Sequence, residues 1–90
     1  MYRIKVIAPI TARIIDFGYF VCCYRCRPQS EDGLATFICY AKPNDLDGDK
    51  IKIFKTYKEA KKKLEFLKEK INKNGYMWHW KLEIEEIKKQ

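Results

Sequence analysis

This 90-residue sequence has only four glycines, three prolines and one histidine. Phosphate-binding loops need clustered glycines, and histidine-based sites need a histidine with a suitable neighbour. The glycines stand apart from one another, which excludes a glycine-rich phosphate loop. His79 has no activating neighbour at a recognised motif spacing, so we expect an ordinary surface histidine rather than a catalytic one. No apolar run approaches the roughly 20 residues of a membrane-spanning helix, and the first residues lack the apolar stretch of a signal peptide. We therefore expect a cytoplasmic protein without membrane contact.

What the chain does contain is a net charge of +7 that is confined to one segment. Residues 1–49 balance six basic with six acidic residues, and residues 74–90 balance three with three. Residues 50–73 carry ten lysines against three glutamates. Localised positive charge attracts polyanions such as nucleic acid. A solvated, lysine-rich helix face is the alternative, since arginine forks are more typical of specific phosphate and base contacts.

Hydrophobic alternation predicts a small α+β domain over residues 1–90. Aromatic and β-branched residues predict a hairpin around a turn at 28–33, while residues 10–18 fit either a wide connection or the start of the second strand. The predicted strands cover residues 2–8, 19–27, 34–42, 50–54 and 76–85. The fold class is a single antiparallel sheet of four to five strands packed on one α-helix, in the order β-β-β-β-α-β.

The helix is predicted over residues 57–73. Thr56 is its N-cap and Glu59, three residues later, completes a capping box. Tyr57, Ala60, Leu64, Leu67 and Ile71 form one apolar stripe, and Asn74-Gly75 predicts the end of the helix. One helix of this length cannot cover a sheet whose second and third strands are apolar on both faces. Either the sheet curls towards a barrel, or its open face meets a partner.

The four cysteines are expected to be reduced structural thiols. Cys23-x-x-Cys26 has the spacing of a zinc or redox motif, but on a strand these two side chains point to opposite faces. If the hairpin closes between residues 27 and 34, Cys22 lies opposite Cys39 and the pair fills a core site. We expect no metal and no cofactor, although a zinc site or disulfide chemistry stays an alternative for Cys22, Cys23, Cys26 and Cys39.

Two features of the helix indicate an anion-binding surface. Lysines crowd its N-terminal end, where the helix dipole makes positive charge unfavourable unless an anion binds. Phe66 lies about 130° from the centre of the apolar stripe, between lysines one turn away, which suits either docking or a lateral core contact. The candidate anion-binding lysines are Lys52, Lys55, Lys58, Lys61 and Lys62.

The run Phe54-Lys55-Thr56-Tyr57-Lys58-Glu59-Ala60, between a hairpin and an amphipathic helix, resembles the arm-type DNA-binding domains of phage tyrosine recombinases. Those domains have three strands followed by a helix, and their sheet enters the major groove. The resemblance spans roughly residues 19–71. It implies that the exposed sheet face contacts nucleic acid through Arg25, Arg27, Thr36, Ile38 and Tyr40. More broadly, the chain resembles small lysine-rich accessory proteins of phages and other mobile elements.

We therefore expect a non-enzymatic binding module of phage or mobile-element origin, with nucleic acid or a host nucleoprotein complex as partner. Tyr40, Ile38 and Phe66 are the candidate interface residues. The alternative is a phage-encoded inhibitor of a host defence system, either anti-CRISPR-like or a sponge for a signalling nucleotide, acting by protein or ligand binding. The two-sided apolar strands also predict a homodimer.

Overall fold

Four antiparallel strands form one open sheet in the order β3-β2-β1-β4, and one face of this sheet carries a helix. The computed structural model describes residues 1–26, 35–74 and 79–88, apart from the side chains of residues 25, 26, 35 and 72–74. The strands are β1 (Tyr2–Pro9), β2 (Ile15–Cys26), β3 (Ala35–Ala41) and β4 (Lys81–Glu86), and the helix is α1 (Tyr57–Asn74). The predicted α+β class is confirmed. The predicted turn at 28–33, Gly75 after the helix and residues 76–78 of the last strand lie outside the described residues.

The first two strands are joined by a tight turn, which decides between the two interpretations of residues 10–18. The amide of Ile10 donates to the carbonyl of Ile14 at 2.9 Å, and the Thr11 hydroxyl accepts from the Ile14 amide at 3.0 Å. Strand β2 then begins at Ile15, which pairs with Pro9. Residues 15–18 are therefore the start of the second strand.

A gap between β1 and β2 explains why residues 50–54 do not add a fifth strand. Pairing of these strands ends at Lys5 and Tyr19, and β2 has an irregular register between Phe20 and Cys22. The chain instead makes a 3-10 turn over Gly48–Lys50 and enters the gap. There Lys52 donates its amide to the Phe20 carbonyl at 2.9 Å, and Phe54 exchanges two backbone hydrogen bonds with Tyr2 at 2.7 and 2.8 Å. The segment therefore makes isolated backbone hydrogen bonds to Phe20 and Tyr2 instead of a continuous strand pairing, because the gap admits only a few residues.

The core lies between α1 and the sheet, as the amphipathic patterns predict. Strand β1 contributes Ile4, Val6 and Ala8, all fully buried. From the helix, Ala60 and Leu67 are fully buried and Ile71 is nearly so. The core is completed by Phe20, Ile38 and Leu82.

The helix begins where the capping pattern predicts. The amide of Glu59 donates to the Thr56 hydroxyl oxygen at 3.2 Å, which satisfies a backbone donor that has no partner inside the helix. Tyr57 departs from the predicted stripe because it is half exposed and packs edge-on against Tyr2, with ring centroids 5.7 Å apart. The first turn of α1 thus contacts the start of β1 rather than the centre of the core.

Ile38 and Tyr40 do not lie on an exposed face of the sheet, and that prediction is wrong. Ile38 is 4% exposed and belongs to the core. Tyr40 packs edge-on against Trp80 at 5.6 Å and donates its hydroxyl to Asp16 at 3.0 Å. Both side chains pack against the core on the helix side of the sheet, since residues two apart on a strand share one face.

The face of the sheet opposite α1 carries a polar network. Arg3 and Glu85 are direct cross-strand partners, and the Arg3 guanidinium donates to the Glu85 carboxylate at 2.7 Å. Tyr19 donates its hydroxyl to the other carboxylate oxygen at 3.0 Å, and the guanidinium lies 3.7 Å from its ring centroid. Glu85 is therefore a carboxylate with two side-chain partners. Within the described part of the chain, no helix has both the length and the apolar content to cross a membrane.

Candidate functional site

A cavity of about 450 Å³ opens along one side of α1, next to the segment that enters the gap in the sheet. Its walls are the rings of Phe54 and Phe66, and its polar rim consists of Glu59, Lys62 and Lys63. Two constraints hold this geometry: the backbone exchange with Tyr2 fixes Phe54, and the helix repeat brings Lys62, Lys63 and Phe66 to the same side. The result is an apolar recess edged by ammonium groups.

A second cavity, of about 320 Å³, shares Phe54 and Lys63 with the first. It continues towards β2, where its lining adds Phe20, Cys22, Cys23 and Lys52. We call the two cavities together the lysine–aromatic groove. The gap in the sheet admits the 52–54 segment, and Phe54 of that segment lines both cavities.

Lysine ammonium groups lie over the aromatic rings of the groove. The Nζ atom of Lys63 is 5.0 Å from the ring centroid of Phe66 and 5.6 Å from that of Phe20. The Nζ atom of Lys70 is 5.3 Å from the Phe66 centroid. Contacts of this length are weakly attractive in water, so they hold the ammonium groups near the rings without binding them tightly. Since Phe66 is 43% exposed, a planar ligand can reach its ring while an anionic group meets the lysines.

The structure brings some of the predicted anion-binding lysines to the groove and separates others from it. Lys52 and Lys62 line it. Lys61, by contrast, is about 140° around the helix from Phe66, and Lys58 about 80°, at 100° per residue. Lys55 is exposed just before the helix begins. Arg27 and the side chain of Arg25 lie outside the described residues.

Sequence reasoning missed two central residues of the groove. Lys63 was not among the candidate residues, yet its ammonium lies within 5.6 Å of the ring centroids of both Phe20 and Phe66. Phe54 was placed on a strand, whereas it forms the wall shared by both cavities. The signal available for Lys63 was its position three residues before Phe66. Nothing in the local pattern indicates that Phe54 would lie beside the helix.

A third cavity, of about 310 Å³, is polar and lies around Asp16. Asp16 accepts from the Tyr40 hydroxyl at 3.0 Å and pairs with Lys42 at 3.2 Å. These two contacts hold the pKa of Asp16 below its usual range. Burial and the hydrogen bond to Asp16 raise the pKa of Tyr40 to about 12. The donors and acceptors here satisfy one another, so the arrangement explains a stable contact between strands rather than a binding site.

The cysteines confirm one sequence prediction and contradict another. Cys22 is paired with Cys39 across β2 and β3, as the expected hairpin register requires. The pair does not fill a core site, however, because Cys22 is exposed and Cys39 only partly buried. Cys23 lies opposite Ile38 and packs against the core. The side chain of Cys26 lies outside the described residues, among which no three histidine, cysteine or acidic residues are placed to hold a metal ion.

Comparisons of this chain with protein families, with curated proteins and with solved structures found no match.

Proposed function

We propose that this protein is a non-enzymatic nucleic-acid-binding module whose lysine–aromatic groove takes a single strand. An unpaired base stacks on Phe66, and the adjoining phosphates lie against Lys62, Lys63 and Lys52. The resemblance of residues 54–60 to arm-type DNA-binding domains, and the origin in phages or mobile elements that it implies, are in keeping with this proposal.

The observation that carries the proposal is the environment of Phe66. Its ring is 43% exposed on the most basic segment of the chain, with two ammonium groups within 5.3 Å of its centroid. Proteins that bind single strands combine a positively charged groove with aromatic side chains on which bases stack. A solvated helix face accounts for the lysines, but it does not account for an exposed ring beside a recess of about 450 Å³.

The proposal is tested by fluorescence anisotropy with labelled single-stranded DNA, single-stranded RNA and duplex DNA at two salt concentrations. Phe66→Ala removes the stacking surface, and stacking contributes about 1–3 kcal/mol per base. The dissociation constant for single strands is therefore expected to rise about 5- to 150-fold. Lys62→Gln and Lys63→Gln each remove one phosphate contact, so the logarithmic salt dependence should decrease by about 0.7 per substitution.

Lys61→Gln is the matched control because it removes the same charge from the same helix, on the side away from Phe66. It is expected to leave both the affinity and the salt dependence nearly unchanged. An equal loss for Lys61→Gln and Lys62→Gln would show diffuse attraction to the helix and contradict a groove. An unchanged affinity for Phe66→Ala would contradict stacking.

A signalling nucleotide has the same base and phosphate chemistry, and a volume of about 450 Å³ is within the range of small-ligand pockets. A cyclic dinucleotide is therefore included as a competitor in the same assay. Displacement of the labelled strand by the dinucleotide at lower concentration than by an unlabelled oligonucleotide would favour the ligand-binding alternative.

A protein partner is the second candidate, and it rests on the turn between β1 and β2. Ile10 and Ile14 are each 58% exposed and Ile15 is 66% exposed, next to the half-exposed ring of Phe17. Exposed apolar side chains grouped in this way are typical of protein-binding surfaces. Light scattering of the wild type and of Ile15→Lys tests for a homodimer through this turn. A monomer at high concentration would contradict the homodimer.

A further inference from the structure

Cys22 and Cys39 are placed as the two halves of a disulfide. They are direct partners across antiparallel strands β2 and β3. Paired Cα atoms in such a sheet are about 4.5–5.5 Å apart, and disulfides span Cα separations of about 4.4–6.8 Å. The two thiols are close enough to each other to interact by a hydrogen bond. The strand register therefore places the two residues at a separation that a disulfide typically spans.

The two thiols differ in solvent exposure and in surroundings, so we expect them to have different roles in the reaction. Cys22 is exposed, so a reagent in solution reaches it first. Burial, the neighbouring thiol of Cys22 and the charge of Asp47 raise the pKa of Cys39 to about 11. Because the thiolate is the nucleophile in exchange, Cys22 makes the first attack and Cys39 the second.

We propose that Cys22 and Cys39 are a redox-sensitive pair that closes into a cross-strand disulfide on reaction with a low-molecular-weight disulfide. The Cys22 thiolate attacks one sulfur of the reagent, which forms a mixed disulfide and releases one thiolate. Cys39 loses its proton to solvent and attacks the Cys22 sulfur, which releases the second thiolate. In the balance, two cysteine thiols are oxidised and one disulfide molecule is reduced to two thiols. This proposal does not rest on the proposed nucleic-acid binding, although Cys22 also lines the second cavity of the lysine–aromatic groove.

The neighbouring Cys23 provides an internal control. It is on the same strand, one residue away, but it packs against the core and its cross-strand partner is Ile38. Since no thiol lies opposite it, Cys23 is not expected to join either member of the pair.

The test is equilibration of the full chain in glutathione buffers of increasing oxidised-to-reduced ratio, followed by alkylation in denaturant and mass spectrometry. The chain has four cysteines, and the number of alkylated thiols is expected to fall from four to two. Digestion without reductant should locate the bond between Cys22 and Cys39. The Cys23→Ser variant should still lose two thiols, whereas Cys22→Ser and Cys39→Ser should lose none to an intramolecular bond.

Any of three results would overturn the proposal. The first is four alkylated thiols in the most oxidising buffer. The second is a bond that maps to Cys23 or Cys26 or that joins two chains. The third is a glutathione adduct on Cys22 that persists without closing onto Cys39. Circular dichroism of each variant shows whether it is folded, and the wild-type mapping decides the proposal even if a serine variant does not fold.

Discussion

Gly18 is a position where one added methyl group should disturb the packing between β2 and β3. A Cβ atom there would lie 2.6 Å from Cδ2 of the Tyr40 ring and 3.0 Å from the carbonyl oxygen of Ala41. Carbon atoms in ordinary contact are about 3.5–4.0 Å apart. In a Gly18→Ala variant the Tyr40 ring must therefore move by about 1 Å, while the Ala41 carbonyl moves by a few tenths of an ångström.

The loss of stability in Gly18→Ala depends on the contacts that the Tyr40 ring makes. Overpacking of this kind costs about 1–3 kcal/mol. Displacement of the ring also weakens its edge-on contact with Trp80, a geometry that contributes about 0.5–1.5 kcal/mol, and stretches the hydrogen bond to Asp16. Alanine also lowers the conformational entropy of the unfolded chain, which offsets the loss of stability by about 0.4–1 kcal/mol. We expect a net loss of about 2–3 kcal/mol in the free energy of unfolding, or roughly 10–20 °C in Tm for a domain of this size.

Urea unfolding followed by tryptophan fluorescence and circular dichroism measures this loss. Tyr40→Phe keeps the ring and removes the hydroxyl, so it isolates the hydrogen bond to Asp16. In a Tyr40→Ala background only the contact with the Ala41 carbonyl remains, and Gly18→Ala should cost at least about 1 kcal/mol less than in the wild type. Equal costs in both backgrounds would refute the ring as the cause. An unchanged stability of Gly18→Ala would refute the close approach itself.

Three further predictions use the same unfolding assay. Leu67→Ala should lower the free energy of unfolding by about 2–5 kcal/mol, because Leu67 is fully buried against the sheet, and a loss below about 1 kcal/mol would contradict that packing. Partial burial alone would raise the pKa of Glu85, but hydrogen bonds from Arg3 and Tyr19 outweigh it and lower the pKa. The stabilisation from this network is therefore present at neutral pH and lost as the pH falls through the folded-state pKa, so wild type and Glu85→Gln should converge in acid. The pKa of Tyr40 is raised from 10.0 to about 12. The stabilisation from its protonated hydroxyl is therefore complete below pH 10 and lost as the pH rises towards 12. Tyr40→Phe should show less alkaline destabilisation than the wild type.

The helix and its cap were predictable from the sequence because they depend on residues within one or two turns of each other. Thr56 caps the helix as its spacing to Glu59 indicates, and α1 ends within one residue of the predicted end. Strand β1 and its buried face follow equally directly from alternation over residues 2–8. Local patterns suffice where one face of an element is apolar and the other is polar.

Strands β2 and β3 show where such patterns fail. Both are apolar on both faces, so alternation does not indicate which side meets the helix. The register shift between Phe20 and Cys22 then places Phe20 and Cys23 in the core although they are three residues apart. The resemblance to arm-type DNA-binding domains implied an exposed Ile38, and alternation offered no correction; the structure places Ile38 in the core.

The sequence by itself determined that the positive charge is confined to residues 50–73, that Phe66 lies off the apolar stripe of the helix, and that Cys22 faces Cys39 if the hairpin forms. Each of these depends on composition or on a short repeat. Only the tertiary structure decided that Phe54 and Phe20 join Phe66 in one groove, that Lys63 lies over their rings, and that the cysteine pair is open to solvent. The position of Phe54 in the groove depends on the gap between β1 and β2, which the 52–54 segment enters. That gap arises from how strands distant in the chain pair and diverge, which no short segment specifies.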